Sequence, residues 1–300
     1  MSRLLALAFI WGWSFLFIKV AGEGLSPATV AWGRIALGAV VLYGFLHYQG
    51  LRVPTDRTSL RHFAIAAVAG TLVPFTLLAW AEQHITSALT AVLNASTPLF
   101  TAMFSALALA ERLRPMQLVG LGAGVVGVAV AAGLGGSDLD SSSLAASLAA
   151  IGAGVAYGVA AVYVRRHLVS HPPLITAAGQ LTMGALLYVP VALGTSLAGG
   201  VALTPTRTAS LLLLGALGTG AAFVLYHGAI AQLGATKATL VTYLVPVVAL
   251  AVGIVVLDEP FEWRLLLGGG LIIGGIAAVN RRRAPSPTSS PAAASVTAGR

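Results

Sequence analysis

Cysteine is absent from the 300 residues, which excludes disulfides and thiolate metal sites and leaves the redox compartment unreadable. Charge is almost as scarce. Asp, Glu, Lys and Arg make up 9% of the chain against 57% apolar residues, with a mean hydropathy of +0.90. A soluble domain carries about 25% charged residues, so this chain has too little polar surface to face water on every side. No acidic residue lies deep in an apolar run, which removes the paired aspartates of an intramembrane protease. Neither His-Glu-x-x-His nor Gly-x-x-x-x-Gly-Lys-Ser/Thr occurs, so zinc proteolysis and ATP-driven pumping lack their groups. Ser14, Ser96 and His227 are too scattered to nominate a hydrolase pair. No cofactor or metal is expected, and the chain reads as a non-enzyme.

What is present is apolar length. Uncharged stretches over 83–110, 115–137, 174–206, 208–236 and 238–257 each reach the roughly 20 residues that a spanning helix needs. They lack the period-two alternation of a membrane strand, which favours helices over a barrel. The pattern predicts helices near 4–21, 27–47, 62–81, 86–109, 116–133, 144–164, 174–195, 209–230, 236–257 and 263–280. The N-terminus runs straight into the first of these and reads as an uncleaved helix rather than a signal peptide. Residues 284–300, rich in Pro, Ser, Thr and Ala, are expected to form a disordered cytoplasmic tail.

The helices fall into two matching sets of five. Pro98, Glu111, Gly120 and Gly122 return 148 positions later as Pro246, Glu259, Gly268 and Gly270. Earlier in the chain the offset is 146: Gly12, Pro27, Gly33 and Gly38 return as Gly158, Pro173, Gly179 and Gly184. Five is odd, so the second set must cross the membrane inverted. The expected fold is all-α and integral to the membrane, with ten transmembrane helices in two inverted five-helix repeats, residues 4–133 and 144–280. Such repeats suit a transporter that alternates access around a site between them.

Arginine placement orients the chain. With a cytoplasmic N-terminus, 12 basic residues fall inside (Arg3, Arg52, Arg57, Arg61, Arg112, Arg114, Arg165, Arg166, Lys237, Arg281, Arg282, Arg283) and three outside (Lys19, Arg207, Arg264). That is the positive-inside pattern. A pI near 10.4 and net charge +8 would suggest nucleic acid for a soluble protein; here the excess is a topology signal, and no nucleic-acid partner is expected.

Phe9-Ile-Trp-Gly-Trp-Ser-Phe-Leu-Phe-Ile-Lys19, then Trp32-Gly-Arg-Ile-Ala-Leu37, then Thr90 to Pro98 leading into Leu109-Ala-Glu-Arg-Leu113 and a glycine-rich helix together resemble the EamA family of the drug/metabolite transporter superfamily. The resemblance covers both repeats, roughly residues 4–280. It implies ten helices in the inner cell membrane, both termini cytoplasmic, and transport of a small metabolite, often export of amino acids or related compounds. It further implies that helices 1, 3, 4, 6, 8 and 9 line a cavity while 5 and 10 lie outside it. The cargo stays open.

The candidate substrate contacts are Arg34, Trp11, Ser14, Asn94 and Tyr243. Arg34 lies about seven residues from the outer end of its helix, roughly 10 Å deep, where a charge needs water, a partner or the interface. Its planar fork suits a carboxylate or phosphate; the structural alternative is a pair with Glu23 or Glu82. Its counterpart in the second half is Gln180. Trp11 and Ser14 share a helix face, with Trp13 and Phe17 on another. Asn94 and Tyr243 approach the midplane, as cavity groups or as helix–helix hydrogen-bond partners. Pro98, Pro246 and Glu82 are candidate gating residues. The two prolines predict symmetric kinks, serving either a rocking motion or only the shape of the bundle. Glu82 and His84 form either an outer gate or proton-sensing pair, or a solvated turn. Glu111 and Glu259 are expected to help end helices 4 and 9, and Gly120/Gly124, Gly154/Gly158 and Gly270/Gly274 fit close packing. Facilitated diffusion and proton coupling through Glu82 both stay open, as does oligomeric state. Broad efflux of amphipathic or cationic compounds over Trp11 and Tyr243 is the second reading.

Overall fold

Asp56 begins a helix that hydropathy alone places too late. Its carboxylate accepts from the Ser59 backbone N–H at 2.9 Å, a capping bond that satisfies one of the free amide groups of a helix start. That bond holds the Asp56 carboxyl below the usual carboxylate range. The helix therefore starts at Arg57, five residues before the apolar run.

The computed structural model describes residues 2–108, 115–134, 141–233 and 241–280. Glu111, Lys237 and the 284–300 tail lie outside the described residues, as does the side chain of His227. Seven helices are long and apolar enough to cross a membrane: α1 (Ser2–Gly22), α2 (Pro27–Tyr48), α3 (Arg57–Ala81), α4 (Ser87–Ala108), α6 (Ser141–His167), α7 (Pro173–Gly199) and α8 (Pro205–Tyr226). Three shorter apolar helices accompany them, α5 (Pro115–Ala131), α9 (Val241–Val256) and α10 (Trp263–Val279). Among the described residues there is no strand.

The helices pair in matched sets. The pairs α2–α7, α5–α10 and α4–α9 each join a helix to its counterpart five places on, while α1–α9 is matched by α6–α4, α1–α8 by α6–α3, and α2–α8 by α7–α3. The same matching holds at atomic scale where α5 crosses α10. A methyl added to Gly120 would meet the Gly275 carbonyl oxygen at 2.6 Å, and one added to Gly268 would meet the Gly127 carbonyl oxygen at 2.6 Å. Only glycine lets two backbones approach so closely. The contacting glycines differ in part from the expected pairs, because Gly270 and Gly274 face open space. Gly154 and Gly158 pack as expected, both against Phe100 of α4.

Alternating loops gather at the two ends of the bundle. At one end the Ala202 N–H donates to the Gly24 carbonyl at 3.1 Å, Arg207 pairs with Glu23 at 3.7 Å, and Arg264 pairs with Glu262. This is the Glu82 end. At the other, Ser59 and His171 lie 3.3 Å apart and His62 bonds Tyr163 at 2.7 Å. This is the His171 end.

Two interruptions shape the middle. α3 widens into a π-helical turn over Val68–Leu72, and α8 does so over Ala216–Ala221; Val68 and Ala216 are 148 positions apart. Such turns often mark functional places in a helix. The proline kinks, by contrast, are not symmetric. α4 breaks at Ala95–Ser96, between Ser87–Asn94 and Thr97–Ala108, whereas α9 runs unbroken through Pro246. Pro98 has no N–H for the Asn94 carbonyl four residues back, and the Thr97 hydroxyl donates to that carbonyl at 2.7 Å instead.

Candidate functional site

Arg34 sits in the middle of the fold, 8% exposed, and meets the π-helical turn of α8. Its Nε donates to Thr219 Oγ1 at 2.8 Å, and its guanidinium carbon lies 3.9 Å from the centroid of the Phe75 ring. This stacking orients the planar group and offsets part of its desolvation. Tyr157 stands beyond Phe75, ring centroids 6.3 Å apart at 66°. Among the described residues the two Nη groups of Arg34 make no hydrogen bond to protein. Neither expected structural partner hydrogen-bonds Arg34 among the described residues, although Glu82 acts on it electrostatically. Glu23 pairs with Arg207, and among the described residues neither carboxylate oxygen of Glu82 has a hydrogen-bond partner.

Ser14 reaches the same turn from α1. A methyl on Gly218 would lie 2.6 Å from the Ser14 hydroxyl oxygen, and Gly218 precedes Thr219 in the chain. The Ser14 hydroxyl itself donates to the Ile10 carbonyl at 3.0 Å. Trp11 lies farther along α8, its ring 5.4 Å from that of Tyr226. The structure thus brings Arg34, Ser14 and Trp11 onto one helix, α8, and leaves Asn94 and Tyr243 elsewhere. Tyr243 packs against the apolar cluster around Ala95 and Leu99. Among the described residues, Asn94 Oδ1 is buried without a partner, as is the indole N–H of Trp13. Buried polar atoms in that condition mark places where a ligand or water is wanted.

At the Glu82 end the chain is strapped shut. Lys19 donates to the carbonyls of Glu82 at 2.6 Å and Ile85 at 2.9 Å, tying α1 to the α3–α4 turn. Glu82 is 1% exposed, so the turn is not solvated at that residue. His84 is exposed and stacks on Trp80 at 4.5 Å, so Glu82 and His84 do not form a pair. Nor does Glu259 simply end its own helix. Asp258 turns the chain at φ 53°, and the Glu259 carboxylate accepts from Ser87 N at 2.7 Å, Ser87 Oγ at 3.0 Å and Ala88 N at 3.1 Å. It caps the start of α4, where free amide groups favour an anion. Among the described residues no three His, Asp or Glu side chains gather as metal ligands.

Reading residues one helix at a time missed Thr219, Phe75, Tyr157 and Lys19. The 148-residue offset carried a usable signal for two of them. It pairs Thr219 with Thr71 and Phe75 with Phe223, a hydroxyl and an aromatic ring repeated at mid-span.

The model of the EamA-like transporter family matches residues 2–133 and 144–281. The chain belongs to that family. It is a membrane transporter and not an enzyme. It is 31% identical over 273 residues, 91% of this chain and 90% of the relative, to a probable terminal-alkyne amino-acid exporter of Streptantibioticus cattleyicolor. The transporter YoaV of Bacillus subtilis is 27% identical over 92% of this chain and 94% of its own. The inner membrane transporter YedA of Escherichia coli K12 is 28% identical over 84% of this chain and 81% of its own. A solved crystal structure superposes with a TM-score of 0.65 at 21% identity, covering 92% of this chain and 96% of its own, and shares the fold.

Proposed function

We propose that this EamA transporter exports a small amino acid or related carboxylate, with Arg34 as the anion contact. The observation that carries the reading is the guanidinium itself: buried, stacked on Phe75 and bonded through Nε, with no hydrogen bond from its other N–H donors among the described residues. Two parallel N–H groups suit a carboxylate better than any other common metabolite group except phosphate. The relative named as an amino-acid exporter supports the same class.

The remaining parts of the reading rest on symmetry and charge. All ten helices cross the inner membrane as two inverted repeats, each inverted half packing on the other around α3 and α8. Matched helix pairings, the two π-helical turns and the paired glycine contacts support this arrangement. The basic residues place both termini in the cytoplasm, with the Glu82 end outside. The Lys19 strap then closes the outer side, and Pro98, Pro246 and Glu82 act in opening it. Glu82, buried beside Lys19 with no hydrogen bond to its carboxylate, is the group through which a proton gradient would couple. Efflux of amphipathic or cationic compounds is the second reading, favoured by the Trp11–Tyr226 contact.

The test is flux in proteoliposomes, with a panel of labelled amino acids, sugars, phosphates and cationic drugs, with and without a pH gradient. Saturable amino-acid flux that Arg34→Ala abolishes supports the proposal. Drug flux indifferent to Arg34→Ala overturns it and favours the aromatic surface. A pH-gradient stimulation lost in Glu82→Gln assigns the coupling; flux unaffected by the gradient makes the protein a facilitator.

A further inference from the structure

The first half closes on Arg34, and the second half leaves the matching place open. By the same offsets Arg34 and Phe75 correspond to Gln180 and Phe223. Arg34 lies on Phe75, whereas Gln180 and Phe223 both line a cleft of about 300 Å³ bounded by the α6–α7 loop. That volume is at the small end of ligand sites. Arg165 and His171 stand at its loop side, Thr176 lies within α7, and Gln180 follows one turn further in.

Two of these groups are polar donors that bond nothing among the described residues. Thr176 is 6% exposed and its hydroxyl has no partner among the described residues. The Gln180 amide makes no hydrogen bond among the described residues. It lies against the π-helical turn of α3, where a methyl on Gly70 would sit 2.6 Å from Nε2. Arg34 meets the π-helical turn of α8 in the corresponding way. Leu168 and Phe223 give the cleft an apolar wall.

We infer that this cleft is the cytoplasmic loading site for the exported amino acid. The Thr176 hydroxyl and Gln180 amide donate to its carboxylate, Arg165 places a positive charge at the mouth, and Leu168 and Phe223 receive an apolar side chain. Neutral donors hold an anion less tightly than a guanidinium fork, so a substrate loaded here gains by moving on to Arg34. The inference rests on the carboxylate-export reading and adds a second station to it.

The absence of cysteine makes the test clean. Single variants Thr176→Cys and Val30→Cys, the latter at the matching position of the first half, are labelled in membrane vesicles of either orientation. The reagent is the membrane-impermeant anion 2-sulfonatoethyl methanethiosulfonate. Thr176→Cys is expected to react from the cytoplasmic face only, and Val30→Cys, 1% exposed in the native chain, from neither. L-Leucine and L-phenylalanine should slow the Thr176→Cys reaction roughly tenfold at ten times the half-protecting concentration. Their decarboxylated amines should not. As an independent readout, Thr176→Val and Gln180→Leu should raise the KM for efflux several-fold with kcat retained, and Thr176→Ser should restore it. Protection by the amines, labelling from the outer face, or unchanged KM in both variants overturns the loading site. Amino-acid flux insensitive to Arg34→Ala, with protection intact, instead overturns the Arg34 reading and leaves the cleft standing.

Discussion

The two halves of the chain use the same backbone devices and different side chains. Each has a π-helical turn at mid-bundle, in α3 and in α8, with an aromatic residue just beyond it, Phe75 or Phe223, and a threonine inside it, Thr71 or Thr219. Facing these turns, the first half presents Arg34 and the second Gln180. The charged version is packed on its ring, and the neutral version borders an open cleft. The two halves therefore share a backbone plan around these turns, and on the proposed function the one departure from it, Arg34 for Gln180, decides where a substrate is held.

The largest expected effect comes from erasing that departure. Arg34→Gln makes the first half resemble the second and removes a charged hydrogen-bond donor, worth about 1.5–3 kcal/mol. Amino-acid flux should fall roughly ten- to a hundredfold, read as initial rate in proteoliposomes. Arg34→Lys keeps charge without the planar fork and should recover only part of it. Equal flux in Arg34→Gln and the native protein would remove the functional meaning of the asymmetry.

Next in size is the symmetric crossing of α5 and α10. Gly120→Val and Gly268→Val each force a side chain against a backbone carbonyl at 2.6 Å, and overpacking of this kind costs about 1–3 kcal/mol. The two should lower the thermal midpoint of the detergent-solubilised protein by similar amounts. Gly122→Val and Gly270→Val, with nothing within 4 Å, should leave it nearly unchanged. Unequal losses from the matched pair would weaken the two-fold plan itself.

Much of the backbone plan is legible in the sequence. The apolar runs and the two offsets came from residue order alone, and the Arg34–Gln180 difference was visible in the alignment of the halves. What escaped were features decided across helices. Hydropathy sees neither Asp56 capping Ser59 nor the break at Ala95–Ser96, because both depend on hydrogen bonds rather than on apolar content. Glu259 looked like a helix end and instead caps α4 from the opposite half. That contact gives a third prediction: Glu259→Ala should cost about 1–2 kcal/mol of stability through the lost cap, seen as a lower melting midpoint, with Glu259→Gln costing less.

The smallest effect separates the two threonines. Thr219 Oγ1 donates to the Leu214 carbonyl at 3.2 Å and accepts from Arg34 Nε at 2.8 Å, so it both serves its own helix and aims the guanidinium. Thr71 Oγ1 donates to the Ala67 carbonyl at 2.6 Å, and the α7 residue against it is Gly184, where an added methyl would meet that hydroxyl at 3.1 Å. Replacing either hydroxyl by a methyl keeps the shape and removes the hydrogen bonds. Thr219→Val should lose about 1 kcal/mol of substrate affinity, a rise in KM of roughly fivefold, because Arg34 loses the acceptor that fixes its plane. Thr71→Val should leave KM unchanged, since the bond it loses lies within one helix and touches no group assigned to the substrate. If the two variants shift KM equally, the threonines serve the π-helical turns alone, and the aim of Arg34 comes from Phe75.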